Sequence, residues 1–426
     1  MKRNIVYFYT TIAVFLTLFT IKVSAKTEIS LLTCQPHAQI YSLYGHTAIR
    51  VVDTERNMDV AINWGVFDSS QPNFVANFVL GFTDYTMAVI PTEYFLREYE
   101  YYGSAVYQQR LNLTDAEKAR IIQALEDNYR PENRVYRYNY VYDNCTTRAR
   151  DVILANIDGK VSYQETSQQK GEKTFRDLLH WKTDGYDWCK AGNDLVIGLK
   201  ADRTASHAER EFLPEVLSAD FDSATITRAD GKQVALVDSA FLLLPSGEPH
   251  FEVMPDFALT PTTFALVIFA LVSVWSFFEW KKKKRLLKGG DVTLFYICAV
   301  AGLLPTAMIF SEHPFVQINL ELLILNPLWF YLMSPWTKWK HRWNVALVMV
   351  VLFFLGNIFQ AYAEGMNILA LSLLVRIFNV LIIKNEEFIE HIQVSHRTSD
   401  GEYVRQRGCG TDEGSRTSET CGQHNH

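Results

Sequence analysis

No two of the six cysteines in this 426-residue chain are spaced as a CxxC pair, so neither a zinc site nor a dithiol redox motif is indicated. A basic excess is also missing. Lysine and arginine number 41 against 47 acidic residues, a formal net charge of −6, so composition gives no sign of a nucleic-acid partner. An even spread of apolar residues is the third absence. Up to about Pro255 the sequence is mixed and rich in Tyr, Asp and Arg, whereas Thr260 to Ile383 is mostly apolar. The 48% hydrophobic average conceals that division, and two domains are expected.

Lys2 and Arg3 precede an apolar run from Ile5 to Ile21, and Val23-Ser24-Ala25 comes next, before Lys26. This is the charged, apolar and small-residue order of a secretory signal over residues 1–25. An uncleaved anchor is the alternative, since the run nears the ~20 residues that span a bilayer. Both readings export the polypeptide beyond Ala25, so residues 26–255 form an extracytoplasmic domain.

Within that domain Glu28 to Thr33 reads as a strand, with Cys34-Gln-Pro-His after it. Beyond a bend at Gly45, a second strand puts His46, Ala48 and Arg50 on one face and Thr47, Ile49 and Val51 on the other. Val60 to Phe67 continues as a third, so an antiparallel hairpin or meander is expected. Phe74 to Tyr101 is aromatic-rich and suits the wall or cover of a cleft. Thr114-Asp-Ala-Glu117 has capping-box spacing and opens a helix through Leu125. Tyr136, Tyr138, Tyr140 and Tyr142 then recur at the period of a β-strand. Asp143 or Asn144 caps a following helix that carries Ala149, Val152, Ile153 and Ile157. Asp158 to Lys173 reads as a loop, Thr174 as the cap of a short helix, and Asp230-Gly231 as the turn of a last hairpin.

Residues 260–384 read as five spans: Phe264–Trp280, Val292–Phe310, Phe315–Trp336, Asn344–Ala361 and Met366–Ile383. The third is the least clean, carrying Asn319, Glu321 and Asn326. Basic residues fill alternate loops, at Lys281 to Lys288 and at Lys338 to Arg342, while the loops at Ser311 and Glu364 have none. The positive-inside bias makes the basic loops cytoplasmic and, with five spans, the C-terminus too. The tail, 385–426, is polar and is expected to be disordered. Arg376 is a costly charge within a span and marks a polar site in the bundle, with Glu321 as a mate; Asn319 and Asn326 suit bonds between helices.

Cys145 falls in the first turn of the capped helix, where unpaired N–H groups and the helix dipole favour a thiolate. The exported domain holds Cys34, Cys145 and Cys189, an odd number, so at least one is not paired within it. One arrangement is a Cys34–Cys189 disulfide that leaves Cys145 free. Cys34 is the rival nucleophile, but no helix start comes after it. His46, 99 residues before Cys145, is the candidate base for thiol-dependent acyl transfer. Plain readings stand beside each of these: a half-buried cysteine, a core histidine after a glycine bend, a surface ion pair for Arg50, and sheet packing for the tyrosines.

The segments Leu31-Leu-Thr-Cys-Gln-Pro, Tyr44-Gly-His-Thr-Ala-Ile-Arg-Val, Asn63-Trp-Gly-Val-Phe-Asp and Asp143-Asn-Cys-Thr-Thr-Arg resemble the Lnb-type lipoprotein N-acyltransferase family of Gram-negative bacteria. The resemblance implies an α+β fold: a permuted papain-like (NlpC/P60-type) domain with an antiparallel sheet, followed by an all-α five-helix transmembrane domain. It implies Cys145 as nucleophile and His46 as base, with Asn63, or Asp59 as its rival, orienting the histidine. Arg50, Tyr44 and Asn144 would be substrate contacts. The implied donor is a membrane phospholipid and the acceptors are diacylated lipoproteins at the bacterial inner membrane, with no metal or cofactor required. The alternatives are a cysteine peptidase or amidase acting on cell-wall peptides, for which five spans are hard to rationalise, and a non-enzymatic membrane scaffold.

Overall fold

The computed structural model describes residues 27–37, 39, 42–70, 72–163, 171–250 and 257–408. The expected signal or anchor lies outside the described residues. Among the described residues ten strands run in chain order: β1 Thr27–Cys34, β2 His46–Asp53, β3 Met58–Val66, β4 Asp84–Pro91, β5 Val106–Leu111, β6 Val135–Arg137, β7 Lys160–Ser162, β8 Thr225–Thr227, β9 Gln233–Ala235 and β10 Val237–Leu244. Seven of them form one sheet in the order β10-β5-β1-β2-β3-β4-β6, with every pair antiparallel, and β7, β8 and β9 form a second.

Alternation along β1 and β2 sends side chains to two cores. Ile29, Leu31, Ile49 and Val51 meet Ile121 and Leu125 of the helix Asp115–Tyr129, Ala149 and Ile153 of the helix Cys145–Leu154, and Phe221 of the helix Pro214–Ser223. Leu32, Cys34 and Ala48 meet Phe95 and Tyr99 of the helix Thr92–Tyr101 on the other side. Each large apolar side chain buried this way contributes about 1.5–3 kcal/mol. The bend before β2 requires glycine: Gly45 has φ 74°, and a Cβ there would lie 2.9 Å from Cys34 O.

The tyrosine ladder is not one strand. Only Val135–Arg137 pairs in the sheet. Asn139 Oδ1 then accepts the N–H groups of Val141 and Tyr142, a side-chain turn that overrides the period-two pattern. The expected helices after Thr114 and Thr174 are present, each with a capping box.

Among the described residues, three helices in the apolar part have the length and composition to cross a membrane, at Pro261–Lys282, Lys288–Met308 and Met366–Glu387, and Arg342–Gly356 is shorter. The expected span Phe315–Trp336 is not a continuous helix. It contains only a 3-10 turn, Leu320–Leu323, and a short helix, Trp329–Leu332. Asn319 Oδ1 accepts Glu321 N–H, Asn326 Oδ1 accepts Leu328 N–H, and Pro327 offers no N–H at all, so local side-chain turns displace the helical ladder. The helix from Met366 runs on to Gly408, into the tail expected to be disordered, through the helix-forming stretch Lys384-Asn-Glu-Glu-Phe.

Arg376 does not pair with Glu321. Its guanidinium donates to Asp291 Oδ1 (2.9 Å), Glu279 Oε2 (2.9 Å) and Ser276 Oγ (3.0 Å) and lies 3.6 Å over the Trp275 ring. Glu321 Oε1 instead accepts Ala363 N–H at 2.6 Å. Both Arg376 and Glu279 are completely buried, so the cation is held by a full set of partners.

The apolar and mixed parts interlock through residues 311–319. Gly198 N–H donates to Phe315 O (2.7 Å), Leu199 N–H to Ile318 O (2.8 Å), Asn319 Nδ2 to Leu195 O (2.9 Å) and Tyr140 OH to Pro314 O (2.9 Å). Met308, Phe315 and Val316 share a core with Val141, Phe175 and Phe212.

Two substitutions probe these features. Gly198→Ala would place a Cβ 1.8 Å from Ile318 O, and we expect a loss of about 1–3 kcal/mol with faster proteolysis near residue 198. Arg376→Met removes the cation shared by Glu279 and Asp291, leaving Arg285 to Asp291 and only neutral donors to Glu279, and a loss of about 3–5 kcal/mol is expected in detergent unfolding measurements.

Candidate active site

Cys145 is the first residue of the helix Cys145–Leu154, and Asn144 is its cap. Asn144 Oδ1 accepts the N–H groups of Thr146 and Thr147 at 2.9 Å each, while Nδ2 donates to Tyr140 O (3.0 Å) and Phe212 O (2.9 Å). All four hydrogen-bonding positions of that amide are used within the protein. Asn144 therefore fixes the helix start, and the structure leaves it no free group for the substrate contact expected of it.

The helix start abuts the beginning of β2. Thr146 Oγ1 and Thr47 Oγ1 are 3.1 Å apart, and Thr146 Oγ1 is 3.7 Å from Cys145 Sγ. His46, the first residue of β2, hydrogen-bonds the sulfur through its side chain. Its Nε2 donates to Asn63 Oδ1 at 2.5 Å, which leaves Nδ1 as the nitrogen for Cys145. Asn63 comes into place because β2 and β3 pair with Ala48 opposite Asn63. Phe95, completely buried, packs under the imidazole at 6.5 Å between ring centres. Cys145 and His46 are both half-buried.

Electrostatics favour the charged pair. Burial pushes the Cys145 thiol up, but the His46 charge and hydrogen bond, Thr47 N–H and the Thr146 hydroxyl together bring it down to about 7. Burial opposes protonation of His46, yet Cys145, Asn63 and the nearby Glu98 raise its pKa overall. Each partner thus supports the other's charge.

Cys34 faces the opposite situation. It pairs directly across from His46 in the β1–β2 register but is buried, and burial drives its thiol far above the ordinary range despite a hydrogen bond with Tyr99. A thiol so placed is a poor nucleophile. Cys34 and Cys145 are both free, so the Cys34–Cys189 disulfide is not formed.

The remaining sequence candidates sit elsewhere. Arg50 donates to both Asp59 oxygens (2.8 and 2.5 Å) and to Gln108 Oε1 (2.7 Å), and Thr92 Oγ1 donates to the same Asp59 (2.6 Å). Asp59 is thereby occupied away from His46, whose partner is Asn63. Tyr44, two residues before His46, has its OH accepting from Asn193 Nδ2 at 2.9 Å. Thr47, Thr146 and Glu98 had no signal of their own in the sequence; the first two could be found only as neighbours of His46 and Cys145.

The paired charges give a pH dependence with a definite sign. The nucleophilic thiolate is present above its pKa and lost below it, so alkylation of Cys145 by iodoacetamide is expected to slow as pH falls through about 7. In His46→Ala the midpoint should rise toward the ordinary cysteine value of about 8.5. An unchanged midpoint in that variant would remove His46 as the source of the shift.

A family model described as the Lnb N-terminal periplasmic domain matches residues 21–180, and one described as the Lnb transmembrane domain matches residues 252–387. No curated protein and no solved structure gives a match. Taken with the apolar helices, the two matches describe a membrane protein with a periplasmic region. A chain matched over both of these regions, in this order, belongs to the Lnb family.

Proposed function

We propose that this protein is a lipoprotein N-acyltransferase that carries an acyl chain as a thioester on Cys145. The observation that carries the reading is the Cys145–His46–Asn63 constellation: a thiol lowered to about 7, at a helix start, hydrogen-bonded to a histidine that an amide oxygen orients. The order of His46 before Cys145, with the histidine on an antiparallel sheet, supports a permuted papain-like domain of the NlpC/P60 type.

In the first step the thiolate attacks the carbonyl carbon of a phospholipid ester. The sulfur–carbon bond forms, the carbon–oxygen bond breaks, and His46 passes its proton to the departing lyso-lipid oxygen. In the second, the α-amine of a diacylglyceryl-cysteine attacks the thioester. The amide forms, the thiolate leaves, and the amine proton returns to neutral His46, restoring the charged pair. Asn144 takes the N–H groups of Thr146 and Thr147, which makes Cys145 N–H the helix-start donor for the oxyanion in both steps.

An aromatic track supports lipid substrates. Tyr138 packs in the same core as Cys145 and stacks on Tyr85 (4.2 Å), which meets Phe67 (5.1 Å); Phe67 stacks on Phe74 (5.5 Å), and Phe74 on Phe78 (6.2 Å). Phe67, Val75, Phe78 and Phe82 are exposed, and Phe78 O is bonded by His313 Nε2 of the apolar part at 2.6 Å. Acyl chains would reach the thiol along this track from the bilayer. The donor is then a membrane phospholipid and the acceptors diacylated lipoproteins, with the site at the periplasmic face of the inner membrane and the C-terminus cytoplasmic.

Lipoprotein mass spectrometry in cells carrying Cys145→Ala tests the proposal. Loss of the N-terminal acyl chain, by at least about 10²-fold, is expected, and His46→Ala should lose activity while the protein still inserts. Full acylation with an inserted Cys145→Ala protein overturns the reading. Altered wall peptides with intact acylation would point to a peptidase instead.

A further inference from the structure

The geometry points to a divalent-cation site, separate from Cys145, at His207, Glu211 and Asp220. His207 opens the short helix His207–Arg210, Glu211 comes directly after it, and Asp220 lies in the helix Pro214–Ser223. One ligand atom from each lies within 4.8 Å of the other two. His207 Nε2 is 3.0 Å from Asp220 Oδ2, but off the axis of a hydrogen bond. Glu211 is 2% exposed and Asp220 is fully buried, so two carboxyl groups meet away from water.

A second observation makes this more than an acidic cluster. Glu211 Oε1 is buried in the group, and neither it nor His207 Nε2 has a hydrogen bond of good geometry among the described residues, although the Asp220 carboxyl and the Tyr163 hydroxyl both adjoin Glu211. Orphaned buried polar atoms are costly unless something satisfies them. The neighbouring cation, Arg150, reaches only Glu211 Oε2, at 3.2 Å.

Donor chemistry narrows the ion. One imidazole nitrogen with two carboxylate oxygens suits Zn²⁺ or Mn²⁺, whereas Ca²⁺ and Mg²⁺ favour oxygen-only sets. The His207 side chain is one-third exposed, which gives a route in, and Tyr163 stacks on its ring at 5.6 Å on another side. Arg150 belongs to the Cys145 helix, so a bound cation would tie that helix to the two that carry the ligands.

The test uses the full-length, tag-free protein in detergent, stripped with EDTA and dialysed against Zn²⁺ or Mn²⁺. About one equivalent of metal per chain is expected by elemental analysis, with at least a tenfold lower content in His207→Ala and in the near-isosteric Glu211→Gln. Thermal unfolding should rise by about 5 °C or more at a hundredfold excess over Kd, and not in the variants. Iodoacetamide labelling of Cys145 checks that each variant is folded; if one is not, the wild-type melting shift decides. Wild-type metal content no higher than in folded variants, or no shift with either ion, overturns the site. Stabilisation on acidification without any response to metal overturns it too, and assigns a proton shared by Glu211 and Asp220.

Discussion

A charged sulfur held half out of water is the constraint on which the periplasmic part depends. Burial alone would raise the Cys145 thiol, as it does for Cys34 in the same sheet region. The difference between the two cysteines is not depth alone but the donors around them. Cys145 has an imidazole, a backbone N–H and a hydroxyl, whereas Cys34 has the Tyr99 side chain. Those donors come from β2 and the Cys145 helix, and β3 adds Asn63 behind the imidazole, so the charge is stable only while β2, β3 and the Cys145 helix keep their register. The Asn144 cap and the Thr47–Thr146 contact serve that register.

The interlock through residues 311–319 applies a second constraint. Backbone groups of Gly198 and Leu199 bond directly to Phe315 and Ile318, a contact too close for any side chain at 198. Phe315 and Val316 also complete a core begun by Phe175 and Phe212, and Phe212 O is one of the two acceptors for the Asn144 amide. A continuous chain of packing and hydrogen bonds thus runs from the apolar part to the cap of the Cys145 helix. On the proposed reading, this is how a lipid-handling thiol is kept at a fixed height over a bilayer.

Local signals were the legible ones. The caps at Thr114, Asn144 and Thr174, the glycine bend before His46 and the β-strands on either side of it could all be read from adjacent residues. Cys145, His46 and Asn63 could be named individually, but their meeting could not, because strand register and helix docking over 99 residues leave no trace in spacing. Periodicity misled where a side chain offered the backbone a competing turn. Asn139 ended the tyrosine strand, and Asn319, Asn326 and Pro327 broke the third span, although hydropathy favoured a helix there. Arg376 was visible as an anomaly, yet its partners were not: Glu279 and Asp291 lie near the ends of their own apolar helices and read as ordinary terminal charges.

The Arg376 cluster and the Cys145 pair show two different uses of charge. Around Arg376 every guanidinium nitrogen has an acceptor, the Trp275 face closes over it, and Asn379 adds a further donor to Glu279. Such complete satisfaction leaves no group to offer a substrate and fits an anchor that sets how the helices Pro261–Lys282, Lys288–Ala301 and Met366–Gly408 meet. The Cys145 pair is arranged the other way. Cys145 is only half-buried as a residue, and its proton partner is raised in pKa rather than locked into an ion pair with a carboxylate. A charge meant only to hold structure gains from closure, whereas one meant to react must keep one side open. On the proposed function, that criterion assigns the reacting group to Cys145 and makes the polar site inside the apolar bundle part of its architecture.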